Sequence, residues 1–81
     1  MYVDGKEIGK ELKALRARSG LSGEDVAEKV GVHINSLYKY ERDASKLNLD
    51  VFEKLLRVYN VDEVMFFRTV REFSNQNILQ K

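Results

Sequence analysis

Short blocks of apolar residues at helical spacing recur along this 81-residue chain. In the first block, Ile8, Leu12 and Leu15 are four and three positions apart, so their side chains fall on one face of a helix. The chain contains no proline, and glycine and small polar residues end the blocks instead. Because helices this short are unstable alone in water, they must pack together, and the pattern predicts a compact all-α domain.

The turn signals predict five helices, at about residues 6–19, 23–30, 33–42, 49–59 and 63–74. Ser22 and Asn48 are favourable N-cap residues, and Gly20 and Gly31 stand where a left-handed residue ends a helix. We expect the domain to cover residues 1–74, with its core within residues 6–67, and residues 75–81 to form a mobile polar tail. The inward residues expected on the later helices are Val26, Ala27, Val30, Leu37, Tyr40, Leu49, Phe52, Leu55 and Leu56.

Composition argues against several classes of protein. The chain has no cysteine and one histidine, so we expect no disulfide and no metal site. No nucleophile–base pair and no phosphate-binding glycine loop is visible, so we expect neither an enzyme nor a cofactor. The longest apolar run, residues 64–67, is far shorter than the ~20 residues of a membrane span, and the first residues do not resemble a signal peptide. We therefore expect a cytoplasmic protein with no membrane contact.

Charge gives little guidance to the partner of the chain. The net charge is +1, which by itself favours no polyanionic partner. Four basic residues of the first helix fit an ordinary solvated face: Lys10, Lys13, Arg16 and Arg18.

Residues 21–42 carry the most specific pattern in the chain. Two short helices meet there at a turn of three or four residues that contains a glycine, which is the arrangement of a helix-turn-helix. Ala27 is small enough for the two helices to cross closely, and Gly31 adopts positive φ values without steric cost. Val32 and Leu37 are expected to fill the wedge between the helices.

The sequence resembles the helix-turn-helix domain of phage repressors and Cro proteins, the XRE or lambda-repressor-like regulators. The resemblance runs from about Ile8 to Phe67. It implies a compact five-helix domain that binds double-stranded DNA with its third helix in the major groove. It further implies a small phage- or prophage-type repressor that occludes a promoter. The motifs that carry it are Ile8…Leu12…Leu15-Arg16, Leu21-Ser22, Val26-Ala27-Glu28-Lys29-Val30-Gly31-Val32, Leu37-Tyr38-Lys39-Tyr40-Glu41-Arg42, Leu49…Phe52…Leu55 and Val61-Asp62-Glu63-Val64.

The resemblance also implies contact residues on and around the third helix. With Leu37 and Tyr40 in the core, the residues left to reach bases are His33, Ile34, Asn35, Tyr38 and Lys39. Asn35 suits adenine, Lys39 suits guanine or a phosphate, and Ile34 suits a thymine methyl group. The expected phosphate contacts are Ser22, Gly23, Glu24, Ser36, Arg42 and Lys46.

Four positions depart from the pattern of the family. Gly23 stands where the family usually places a glutamine that binds a phosphate and braces the recognition helix. Tyr38 stands where a small residue is common, and it either reads the groove edge or is an ordinary surface tyrosine. Asp43 and Leu47 replace a frequent glycine and proline, so we expect a different loop after the third helix.

The fifth helix carries more apolar residues than one buried stripe needs, from Val64 to Phe73. We expect Val64 with Phe66 or Phe67 to close the core and the others to form an exposed apolar patch, which often marks an interface. The resemblance then implies a homodimer that reads two half-sites, with its interface expected at Phe67, Val70 and Phe73. The alternative is a small local core under the tail, closed by Ile78 and Leu79.

Two other functions on the same fold stay open. A DNA-binding antitoxin would use the fifth helix and the tail to hold a toxin. A protein-interaction module that has lost DNA binding would fit Gly23, Tyr38 and the near-neutral charge.

Overall fold

The computed structural model describes residues 4–79, with side chains for residues 4–72. Five α-helices follow one another, and a short 3₁₀ helix, Ala44–Lys46, lies between the third and the fourth. No strand occurs in this part of the chain, so the all-α prediction is confirmed. The α-helices are α1 (Gly5–Ser19), α2 (Gly23–Val30), α3 (Ile34–Arg42), α4 (Leu49–Tyr59) and α5 (Glu63–Leu79).

Side-chain caps set the starts of the helices. Ser22 accepts a hydrogen bond from the amide of Asp25 at 3.1 Å, and Asn48 accepts one from the amide of Val51 at 2.9 Å. Each of these caps satisfies a backbone donor that the first helical turn leaves free. Gly20, Gly31 and Asn60 end α1, α2 and α4 in the left-handed conformation. The predicted boundaries of the first four helices hold within one residue.

All five helices contribute to one core. Its most completely buried side chains are Phe66, Leu12, Leu37, Leu55 and Val26. Phe66 packs edge-on against Phe52, with the two ring centroids 5.2 Å apart, and this contact fixes α5 on α4. No helix in the described part of the chain is long and apolar enough to cross a membrane.

Helix α1 lies unusually close to the end of α3. Gly9 makes this approach possible because a Cβ atom there would lie 2.5 Å from the carbonyl oxygen of Tyr40 and 2.7 Å from that of Glu41. Such distances are far below van der Waals contact, so only glycine fits. The inner face of α3 therefore packs directly against α1.

Three expectations for the apolar residues of α4 and α5 are wrong. Leu49 is 66% exposed instead of inward, since it is the first residue of α4, and Val51 in the same turn is buried instead. Val64 is 68% exposed, whereas Phe66 and Val70, four positions apart, lie on the buried face of α5. Val70 is therefore not part of an exposed patch.

The fifth helix is also longer than predicted. It continues to Leu79 instead of ending at Ser74, so residues 75–79 are helical. The side chain of Phe73, one of the expected interface residues, lies outside the described side chains, as do those of Ile78 and Leu79.

Candidate nucleic-acid interface

A three-residue turn, residues 31–33, joins α2 to α3. Gly31 has φ +76°, and its amide donates to the carbonyl oxygens of Ala27 at 2.9 Å and Glu28 at 3.3 Å. The amide of Val32 donates to Ala27 as well, at 3.0 Å. These bonds satisfy carbonyl groups at the end of α2 and fix the angle at which the chain enters α3.

His33 is the N-cap of α3. Its Nδ1 accepts a hydrogen bond from the amide of Asn35 at 3.0 Å. A nitrogen that accepts carries no proton, so Nε2 is the donor of this exposed ring. The side chain therefore starts the helix and leaves one N–H group directed away from the cap.

Helix α3 has a buried side and an exposed side. Leu37 is 1% exposed and belongs to the core. Asn35, Lys39 and Arg42 are exposed and follow one another four and three positions apart, so they form one row on the helix surface. Of the other residues expected to contact DNA from this helix, Ile34 and Ser36 are half-buried, and Ile34 packs against the core.

The expected phosphate contacts outside α3 lie at two places. Ser22, Gly23 and Glu24 form the start of α2, where free amides and the helix dipole favour an anion. The Ser22 hydroxyl already accepts the capping bond from Asp25, and Glu24 is exposed. Lys46 is exposed at the end of the 3₁₀ helix that follows α3.

The structure brings together the two departures at positions 23 and 38. Gly23 is buried, and a Cβ atom on it would lie 2.5 Å from the Tyr38 hydroxyl oxygen and 2.7 Å from its Cε1. The tyrosine ring thus covers the first residue of α2. The guanidinium carbon of Arg16 lies 5.7 Å from the centroid of the same ring, within cation–π range.

A buried ion pair ties α3 to α1. Arg16 donates from Nε to one carboxylate oxygen of Glu41 at 2.7 Å and from Nη2 to the other at 3.1 Å. The side chain of Glu41 is only 4% exposed and that of Arg16 is 18% exposed. The hydrogen bonds to Glu41 raise the pKa of Arg16 above its ordinary value. Arg16 also donates to the carbonyl oxygen of Leu21 at 3.4 Å, which reaches the α1–α2 connection.

Sequence reasoning missed this pair. It assigned Arg16 to a solvated basic face, yet the guanidinium points inward to Glu41. The two residues are 25 positions apart, so no local spacing connects them. The only signal in the sequence was that Arg16 and Glu41 both belong to the motifs that carry the family resemblance.

The loop after α3 is shaped by Asp43. Its carboxylate accepts a hydrogen bond from the amide of Ser45 at 3.0 Å, which lowers the pKa of Asp43. The backbone there is extended, with φ −159°, so no glycine is needed. The loop takes the form of a capped 3₁₀ helix that ends at Lys46.

Comparison with known proteins agrees with this geometry. A family model described as a helix-turn-helix domain matches residues 7–66. The chain is 43% identical over 53 residues to an HTH-type transcriptional regulatory protein of Sulfurisphaera tokodaii, which covers 65% of this chain and 18% of that protein. It is 39% identical over 54 residues to the HTH-type transcriptional regulator ImmR of Bacillus subtilis, which covers 67% of this chain and 42% of that one. The chain therefore spans less than half the length of either relative.

A solved structure shares the fold. The wild-type restriction–modification controller protein C.Esp1396I superposes with a TM-score of 0.81 at 21% identity, over 89% of this chain and 94% of that chain. Together with the match over residues 7–66, the geometry of α2, the turn and α3 shows that this chain belongs to the helix-turn-helix domain family.

Proposed function

We propose that this protein is a sequence-specific, double-stranded DNA-binding transcriptional regulator that places α3 in the major groove. The observation that carries the proposal is the exposed row Asn35, Lys39 and Arg42 on a helix held from behind by buried Leu37 and Glu41. A helix fixed in this way presents polar side chains at defined positions, as base readout requires.

Each base-contact residue has a chemical role in this proposal. The Asn35 amide donates to N7 and accepts from N6 of adenine in the same plane, and Lys39 donates to O6 or N7 of guanine. The exposed part of Ile34 packs on a thymine methyl group. His33 donates from Nε2, since its Nδ1 is occupied by the cap.

Phosphate contacts flank this row. The amides at the start of α2 bind one phosphate, and Arg42 and Lys46 bind others on the far side of α3. Because the net charge is only +1, long-range attraction to DNA is weak. Affinity then depends on these local contacts, and it falls with salt according to their number.

The regulator acts as a homodimer in this proposal, and α5 supplies the contact. Val64 and Met65 are 68% and 59% exposed in the first turn of the helix. Beside them a groove is lined by half-buried Phe67 and by charges of both signs, including Glu63 and Arg68. Such a mixed surface can pair with its own copy about a two-fold axis.

DNA binding is tested by selecting duplexes from a random library and measuring the anisotropy of the selected duplex at ~0.15 M salt, a physiological ionic strength. We expect a preference of ~10³ or more over a scrambled duplex. Asn35→Ala and Lys39→Ala should each weaken binding to the selected duplex about tenfold or more, because each removes a base contact. Lys54→Ala on α4 is the matched control, since it removes a lysine away from α3. Failure to enrich any sequence would refute the proposal.

The dimer is tested by sedimentation at tens of micromolar. We expect a species of twice the 9.4 kDa chain mass, and Met65→Lys should convert it to a monomer. Glu28→Lys, an exposed change on α2, is the control. A wild-type monomer would refute the dimer, and the exposed residues of α5 would then be tested against a protein partner such as a toxin.

A further inference from the structure

We propose that Tyr38 is a positioning residue, whose ring packs against Gly23 and fixes α3 on the start of α2. The inference deepens the proposed function because it concerns how the recognition helix is held. It removes Tyr38 from the residues that read bases. Two observations carry it.

The first observation is the space above Gly23. A Cβ atom there would lie 2.5, 2.7 and 2.8 Å from the Oη, Cε1 and Cζ atoms of Tyr38. Those atoms form the outer end of the ring, so the ring occupies the volume into which any larger residue at position 23 would extend. Glycine at 23 and tyrosine at 38 are thus two halves of one contact between α2 and α3.

The second observation is what lies on the ring. The guanidinium of Arg16 is 5.7 Å from the Tyr38 centroid. It is held there by two hydrogen bonds to Glu41, three residues further along α3. The ring therefore lies between Arg16 of α1 and the first residue of α2, and Tyr38 is 38% exposed on its other side.

A reciprocal exchange tests the contact without DNA. We expect Gly23→Gln and Tyr38→Ser each to lower the melting temperature by about 4–8 °C, a typical change for a lost contact in a domain of this size. The double variant should recover most of this loss, because it restores one side chain in one space. Additive losses in the double variant would overturn the proposal.

A spectroscopic arm separates positioning from general destabilisation. The Hα protons of Gly23 should carry a ring-current shift in the NMR spectrum, because the ring edge lies against them. The shift should persist in Tyr38→Phe and vanish in Tyr38→Ser, with Tyr40→Phe as the control. An unchanged Gly23 signal in Tyr38→Ser would overturn the proposal.

A DNA arm tests the claim that Tyr38 does not read bases. Tyr38→Phe should keep both the affinity and the base preferences of the wild type, measured with single base-pair changes in the selected duplex. A tenfold loss of preference at one base pair would identify Tyr38 as a base-reading residue and overturn the proposal. Since the thermal and NMR arms need no DNA, failure of the proposed function would not be mistaken for failure of this one.

Discussion

Replacing Arg16 with methionine tests how strongly the buried ion pair holds α3 on α1. The substitution keeps most of the aliphatic volume of the side chain but removes both hydrogen bonds to Glu41. The carboxylate that remains is 4% exposed, so water cannot replace the lost partner. Breaking a buried pair in this way costs about 3–5 kcal/mol, well above the ~1 kcal/mol or less of an exposed pair.

The expected loss is large for so small a domain. Natural domains have a total stability of about 5–15 kcal/mol, so Arg16→Met should remove a substantial fraction of it. Urea unfolding should show a lower midpoint with an unchanged slope, because the surface exposed on unfolding stays the same. Arg16→Met combined with Glu41→Leu should be much closer to the wild type, since no stranded charge remains.

The double variant separates a stranded charge from a simple loss of packing. In the wild type, the hydrogen bonds to Glu41 raise the pKa of Arg16. A loss below ~1 kcal/mol in Arg16→Met, or an equally large loss in the double variant, would refute the view that the buried Glu41 carboxylate depends on Arg16.

Three further predictions concern the core and the turns. Burial raises the pKa of Tyr59 to about 12. Because the tyrosine of the unfolded state ionises at a lower pH, the free energy of unfolding should fall by about 2 kcal/mol between pH ~10 and ~12. Tyr59→Phe should abolish this fall in urea titrations. The same variant should be at least as stable as the wild type at pH 7, because the hydroxyl has no hydrogen-bond partner within the described residues. Gly9→Ala should destabilise the fold by about 1–3 kcal/mol although alanine has the better helix propensity, because the new methyl group meets backbone carbonyls of α3. A gain in thermal stability would contradict this packing. Gly31→Ala should cost about 1–2 kcal/mol from positive φ alone, because nothing lies within 4 Å, and Gly31→Asn should cost less in the same melts.

The local features of the fold were predictable because they depend on neighbours in the chain. Ser22 and Asn48 cap helices at the predicted places, and Gly31 ends α2 as predicted. Capping and left-handed ends involve residues within four positions of one another, so the sequence displays them directly. The apolar spacing of α1 likewise places Leu12 and Leu15 in the core.

Which face of α5 is buried was not predictable from the sequence. On α5, apolar side chains occur on several faces, so spacing alone does not decide between Val64 and Phe66. In the structure Phe66 is the buried residue, and its ring packs against that of Phe52. Contacts between distant positions, such as Arg16 with Glu41, depend on helix crossing and are invisible to any spacing rule.

The ring of Tyr38 above Gly23 limits how the specificity of this domain can be transplanted. A recognition helix taken from a relative with a small residue at position 38 would leave the space over Gly23 empty. The helix of this chain, moved into a relative with glutamine at position 23, would bring its tyrosine into that side chain. Helix α3 therefore cannot be exchanged alone, and a transferred unit must keep α2 with α3 and an arginine at position 16 to pair with Glu41.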